Sequence, residues 1–259
     1  MFVAIGCDRD VKGDVPRSAN ATTIDPNAAP AIAKIVIAAP KYSVAPNASQ
    51  GSVTGSVTLK DSIAQSAPTL TGRDSAICGP AMPDGSVQMQ NGGLAGVVVW
   101  LEGVTSGKAI GLERRLELES VHCSLAPRVQ AAVVGSAVNI IGHDAFRQHL
   151  RFIAGGETSP RATILIGGGE QVIPTDLPFR SPGLVAVIDT GHVWTRAYLA
   201  VFNHPYFAVT GAGGTFTIEG VPAGKYTLRA WHERTGVVDQ PVEVGATGQV
   251  KVSVILAAK

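Results

Sequence analysis

Three cysteines and six histidines carry the thiols and imidazoles of this chain. Thiolates and imidazoles are the soft and borderline ligands that hold copper or zinc. The cysteines are Cys7, Cys78 and Cys123, and in an exported protein an odd count leaves one thiol over. His143 and Asp144 lie close to His149 and offer extra ligands or orienting groups for a metal, with a solvated loop as the plainer reading. His204, in His204-Pro205-Tyr206-Phe207, and His232, in Trp231-His232-Glu233, read as packing or hydrogen-bonding residues. His122, beside Cys123, carries no separate signal. The glycine runs Gly167-Gly168-Gly169 and Gly211-Ala212-Gly213-Gly214 lack the strand–loop–helix context and the lysine of a phosphate cradle. A Gly-x-Ser-x-Gly elbow is absent, so serine hydrolysis is unsupported. Glu170 and Asp176 are near in sequence, but a paired acid and base needs proximity in space. Trp100, Trp194 and Trp231, with Tyr198, Tyr206 and Tyr226, read as core or junction residues.

The elements that would position these groups are strands. Of 259 residues, 45% are hydrophobic and 16% charged, with a formal net charge of +1, so a core can form and no field gathers nucleic acid or anionic membrane. No apolar stretch reaches membrane-spanning length. The 30 glycines and 16 prolines suit many turns between short strands. Gly96 to Leu101 is a continuous apolar run, as for a strand buried on both faces. Leu116 to Glu119, Thr215 to Ile218 and Lys225 to Trp231 alternate, and Val250, Val252, Val254 and Leu256 share one face. Val129 to Ile141 is strand-like with a break at Gly135; Ala162 to Ile166, Leu184 to Ile188 and Ala197 to Phe202 follow. With no long 3.6-residue periodicity, the chain reads as all-β, built of sandwiches or barrels.

The N-terminal stretch Val3-Ala4-Ile5-Gly6-Cys7 resembles the end of a bacterial lipoprotein signal, in which a small residue precedes the lipidated cysteine. Only six residues precede Cys7, so the reading requires a truncated or misassigned start. Residues 8 to about 48 have the Ala, Pro, Asn, Ser and Thr composition of a tether. Lipid on Cys7 would anchor the protein to a membrane without spanning it.

The segment Gly213-Gly214-Thr215-Phe216-Thr217-Ile218-Glu219-Gly220-Val221-Pro222-Ala223-Gly224-Lys225-Tyr226-Thr227-Leu228 resembles the hairpin of the carboxypeptidase-regulatory-like (transthyretin-like) family. Gly51 to Val57 and Ala95 to Leu101 resemble that family's opening strands. They stand more than a hundred residues earlier, which implies a split sandwich with a second domain inserted. The insert resembles the cupredoxin-like domains of exported bacterial proteins of the methylamine-utilisation type. The matching pieces are Cys123-Ser124-Leu125-Ala126-Pro127-Arg128-Val129, then His149, then Gly183 to Tyr198, then Asn203-His204-Pro205-Tyr206-Phe207-Ala208-Val209-Thr210. The implied organisation is a linker over 1–48, a regulatory-like sandwich over 49–110 and 206–259, and a cupredoxin-like Greek-key sandwich over 111–205, inserted in or packed on it.

The cupredoxin resemblance carries a ligand set with it. A type 1 copper site uses two histidines, a cysteine thiolate and usually a weak axial methionine. His149 falls at the first histidine and His192 at the second, while Asp189 stands at the thiolate position and Thr195 at the axial one. Without the thiolate, blue-copper electron transfer is not expected. Two readings stay open: His149, Asp189 and His192 hold copper or zinc, with Thr195 and His143 as weaker additions, or the site is degenerate, no cofactor binds and the fold serves as a scaffold. The second is preferred. It makes the chain a non-enzymatic, extracytoplasmic binding or scaffold protein with a protein or glycan partner in the cell envelope and none in nucleic acid. Cys78 and Cys123 match two recurrent cysteines of the same family, which implies a disulfide; two buried free thiols are the alternative.

Overall fold

The computed structural model describes residues 37, 40–45, 50–111, 115–175 and 179–258. Cys7, most of the expected linker and Asp176 lie outside the described residues. The all-β class is borne out: helix is confined, among the described residues, to the single turns Gly72–Asp74 and Ser75–Cys78. No helix there is long and apolar enough to cross a membrane.

One sandwich is formed by residues 115–202. Its first sheet runs in the order Ser124–Ala126, Arg115–Val121, Ala137–Gly142, Gln171–Pro174. Its second runs Val129–Val133, Arg196–Phe202, Gly183–Asp189, Gln148–Ala154, Ala162–Ile166. Two pairings are parallel, Arg115–Val121 with Ala137–Gly142 and Val129–Val133 with Arg196–Phe202, so long crossovers rather than hairpins link them. Leu118, Val138 and Ile140 meet Leu150, Phe152, Val187 and Leu199 in the core between the sheets.

The other sandwich takes its strands from both sides of this unit. Gln50–Leu59 pairs with Thr215–Pro222 on one side and Gln249–Leu256 on the other. Facing it, Val98–Glu102 lies between Phe207–Val209 and Gly224–His232, with Gly236–Val244 at the edge. Gly55 is opposite Phe216, and a Cβ there would run into the Phe216 ring and the Val252 carbonyl. Pro241 sits mid-strand in Gly236–Val244, where an edge strand spares its missing N–H.

The two sandwiches meet sheet to sheet. Along the apolar run, Val97, Val99 and Leu101 point into one core, while Val98 and Trp100 point into the junction with Val129, Ala186, Tyr198, Phe202 and Trp231. A strand buried on both faces is thus what the continuous run encodes. The segment read as linker joins the packing before its end: Ile37 is buried in the junction, and Ser43–Val44 pairs with Ser106–Gly107. Arg128 crosses the junction to Glu233 in a bidentate ion pair with N···O distances of 2.5 and 2.8 Å.

Candidate functional site

Strand Gly183–Asp189 ends in a tight loop that returns as Arg196–Phe202. Within it the Thr195 N–H donates to the His192 carbonyl (2.8 Å) and the Asp189 N–H to the Thr195 carbonyl (3.2 Å). The three-residue spacing therefore gathers Asp189, His192 and Thr195 on one turn, and each is at most 3% exposed.

Asp189 organises this turn. Its Oδ1 accepts the backbone N–H of Gly191 (3.0 Å) and of His149 (3.1 Å). Its Oδ2 lies 2.5 Å from Nδ1 of His192. The other ring nitrogen of His192, Nε2, lies 3.2 Å from Oδ2 of Asp74. Carboxylates only accept, so each contact is a hydrogen bond only where the ring nitrogen facing it carries the proton. Phe146 and Trp194 enclose the ring, at centroid distances of 4.4 and 5.2 Å.

Asp74 arrives from a hairpin far away in sequence, in which Thr69–Leu70 pairs with Ala81–Met82. A disulfide between Cys78 and Cys123, with Cα atoms 5.7 Å apart, fastens the hairpin to the sandwich. Cys123 occupies a tight turn with His122, at φ of 60° and 52° respectively. The turn is wired into the site: the Cys123 carbonyl accepts from Nε1 of Trp194 (2.9 Å) and Oγ1 of Thr195 (3.2 Å). Asp144 accepts the Cys123 N–H at 3.0 Å and the Ser120 hydroxyl at 2.7 Å.

The other sequence candidates fall elsewhere. His149 is a correction to the expected ligand set. In strand Gln148–Ala154 buried positions alternate with exposed or half-buried ones, and His149 is exposed beside its cross-strand neighbour Leu165. The register sets Leu150 opposite Asp189, so Leu150 and the preceding inward residue, Gln148, share the inner face with Asp189. Only the backbone N–H of His149 reaches the site. Gln148 is 1% exposed, and its side-chain amide atoms have no hydrogen-bond partner among the described residues. His143 bonds Glu170 at 2.8 Å and faces Glu119 at 3.5 Å, apart from this cluster. Thr195 spends its hydroxyl on the Cys123 carbonyl. His204 accepts the Tyr206 N–H at Nδ1 (3.2 Å) and packs against Phe202, while burial pulls its pKa down to about 4. Burial likewise lowers the pKa of His232.

As placed, Asp189 and His192 bond each other and do not stand apart as two ligands of one copper or zinc ion. Two ligands on one tetrahedral ion at about 2.0–2.1 Å from each stand roughly 3.3 Å apart. Asp189 and His192 are 2.5 Å apart, in direct hydrogen-bond contact. No cluster of three or more His, Cys, Asp or Glu side chains with metal-holding geometry occurs among the described residues. Asp74 is the site residue that sequence reading missed. It stands 118 positions from its partner in a short turn with no motif around it.

Fold and site together define an all-β protein of two packed sandwiches, with a buried histidine clamped between carboxylates at the end of one of them. No family model matches the sequence, and no curated protein matches it. Among solved structures, likenesses are partial. A Cu-containing nitrite reductase (NirK) from Thermus scotoductus SA-01 is 23% identical over 37% of this chain and 25% of its own, with a TM-score of 0.30. An amicyanin variant in its reduced state is 20% identical over 34% of this chain and 81% of its own, with a TM-score of 0.28. A second amicyanin variant, in the Cu(I) form, is 19% identical over 40% and 97%, with a TM-score of 0.29. This chain thus spans a quarter of the nitrite reductase and most of each amicyanin.

Proposed function

We propose that this chain is a non-enzymatic, extracytoplasmic binding or scaffold protein. In it a cupredoxin-like sandwich, packed on a carboxypeptidase-regulatory-like one, has exchanged its copper centre for a hydrogen-bonded lock. The observation that carries the reading is the direct Asp189–His192 contact at 2.5 Å, continued by Asp74 on the far ring nitrogen. A carboxylate in place of a thiolate takes up the two backbone N–H groups at that position, so the loop keeps its shape without an ion. The Cys78–Cys123 disulfide supports an oxidising compartment, where such bonds persist. A lipid on Cys7 would complete the envelope assignment.

The test is a titration of metal-stripped protein with Cu²⁺ and Zn²⁺, beside a His192→Gln variant. The expected result is no stoichiometric binding at micromolar metal by either protein. One tight equivalent in the native protein, lost in the variant, would overturn the reading and make the cluster a rebuilt metal site.

A further inference from the structure

We propose that the cavity between the 66–86 hairpin and the two sandwiches binds a monosaccharide-sized acidic sugar, its carboxylate on Arg196 and its ring against Trp194. The proposal rests on the reading of the chain as a binding protein and supplies its ligand class.

The cavity holds about 300 Å³, at the small end of ligand pockets and suited to a single sugar ring. It is open to solvent, with Trp194 and Tyr198 among its aromatic lining residues. Trp194 is half-buried and fixed by its indole bond to the Cys123 carbonyl, so its ring is a preorganised wall.

The charges lining the cavity are unbalanced. Arg128 is matched by Glu233, and Arg234 by Asp84 at 2.7 Å. Arg196 lines the same cavity with no carboxylate within ion-pair distance among the described residues. Its guanidinium donates to the Val193 carbonyl at 3.3 Å and also bonds the Tyr198 side chain, which leaves the remaining N–H groups of its five for a carboxylate. A guanidinium of this kind, in a recess whose other charges are already paired, calls for an anion.

The paired charges explain why the anion should be a sugar. Asp84 and Glu233, bonded to Arg234 and Arg128, line the cavity together with Ser66 and Ser86, a mixed polar lining that suits hydroxyl groups, which donate and accept at once. Asp84 stays ionised: burial opposes this, but hydrogen bonds from Ser86 and Ser66 hold its pKa well below the usual carboxylate range. Tyr198, with its pKa pushed up to about 12 by burial and by Glu233, keeps its hydroxyl proton.

The experiment is calorimetric titration of the intact protein with glucuronate, glucose and acetate. It is repeated on Arg196→Gln, on Trp194→Phe and on Lys251→Gln, a charge change on an exposed residue of the other sandwich. Glucuronate is expected to bind roughly tenfold or more tightly than glucose or acetate, and Arg196→Gln to lose roughly tenfold to hundredfold. Trp194→Phe should weaken both sugars together, and Lys251→Gln should change nothing. Equal binding of acetate and glucuronate would reduce the cavity to a general anion site and overturn the proposal. So would equal loss in Lys251→Gln, or no binding of any probe at tens of millimolar. None of these outcomes touches the metal titration, so this proposal and the reading beneath it fail separately.

Discussion

Removing the Asp189 side chain isolates what the carboxylate does. In Asp189→Ala, the part-buried backbone N–H groups of His149 and Gly191 lose their acceptor, and the buried Nδ1 of His192 loses its partner. Each buried donor left unpaired costs about 1–3 kcal/mol, and some of that is recovered where a loop amide relaxes toward solvent. Breaking a buried ion pair by deleting one partner costs about 3–5 kcal/mol, which sets the scale for the whole change. Asp189→Asn is the informative companion. Its Oδ1 still accepts both amides, and its Nδ2 meets His192, which can answer by keeping its proton on Nε2 toward Asp74. That variant should lose about 1–2 kcal/mol. Urea denaturation followed by near-UV circular dichroism gives both numbers, and amide hydrogen exchange at Gly191 and His149 localises them. Equal losses in the two variants, or a loss below about 1 kcal/mol in Asp189→Ala, would refute the lock. If Asp189 were a ligand for an ion, metal-free protein would tolerate the alanine and the penalty would surface only on adding metal.

Four further outcomes follow from other contacts. Replacing both Cys78 and Cys123 with serine opens a link across a sequence separation of 45 residues, and loop entropy puts the loss near 4 kcal/mol; thermal melting with and without reductant checks this. The same change should free the hairpin that carries Asp74, read as faster hydrogen exchange over residues 69–82 with little change in the 224–244 strands. Arg128→Ala strands Glu233, whose side chain is 6% exposed, and should cost about 3 kcal/mol, measured by a double-mutant cycle with Glu233→Ala. His204 sets an acid limit: its folded pKa of about 4 lies below its ordinary value of 6.5, so the unfolded chain binds the extra proton first. Its contribution of roughly 3 kcal/mol is complete above about pH 6.5 and is lost as pH falls to about 4, a slope that His204→Gln should flatten in melts across that range.

What the sequence made legible was whatever a strand's period encodes locally. The run Val97 to Leu101 declares a strand buried twice over, and both faces are in fact covered, one by each sandwich. The strand Gly236–Val244 carries Pro241 mid-strand, and its place at a sheet edge makes the missing N–H harmless. At the site the error was one residue wide. A strand sends neighbouring side chains to opposite faces, so naming His149 instead of Gln148 moved the inferred ligand from the inner face to the outer one. The pattern 189, 192, 195 was readable because it lies in one turn, where spacing and geometry are the same thing. Asp74 was not, because its meeting with His192 depends on a disulfide, a hairpin and a sandwich at once. The contact that decides the chemistry is therefore the one with the least local signature. A search by ligand motif would find His192 and pass over the carboxylate that caps it.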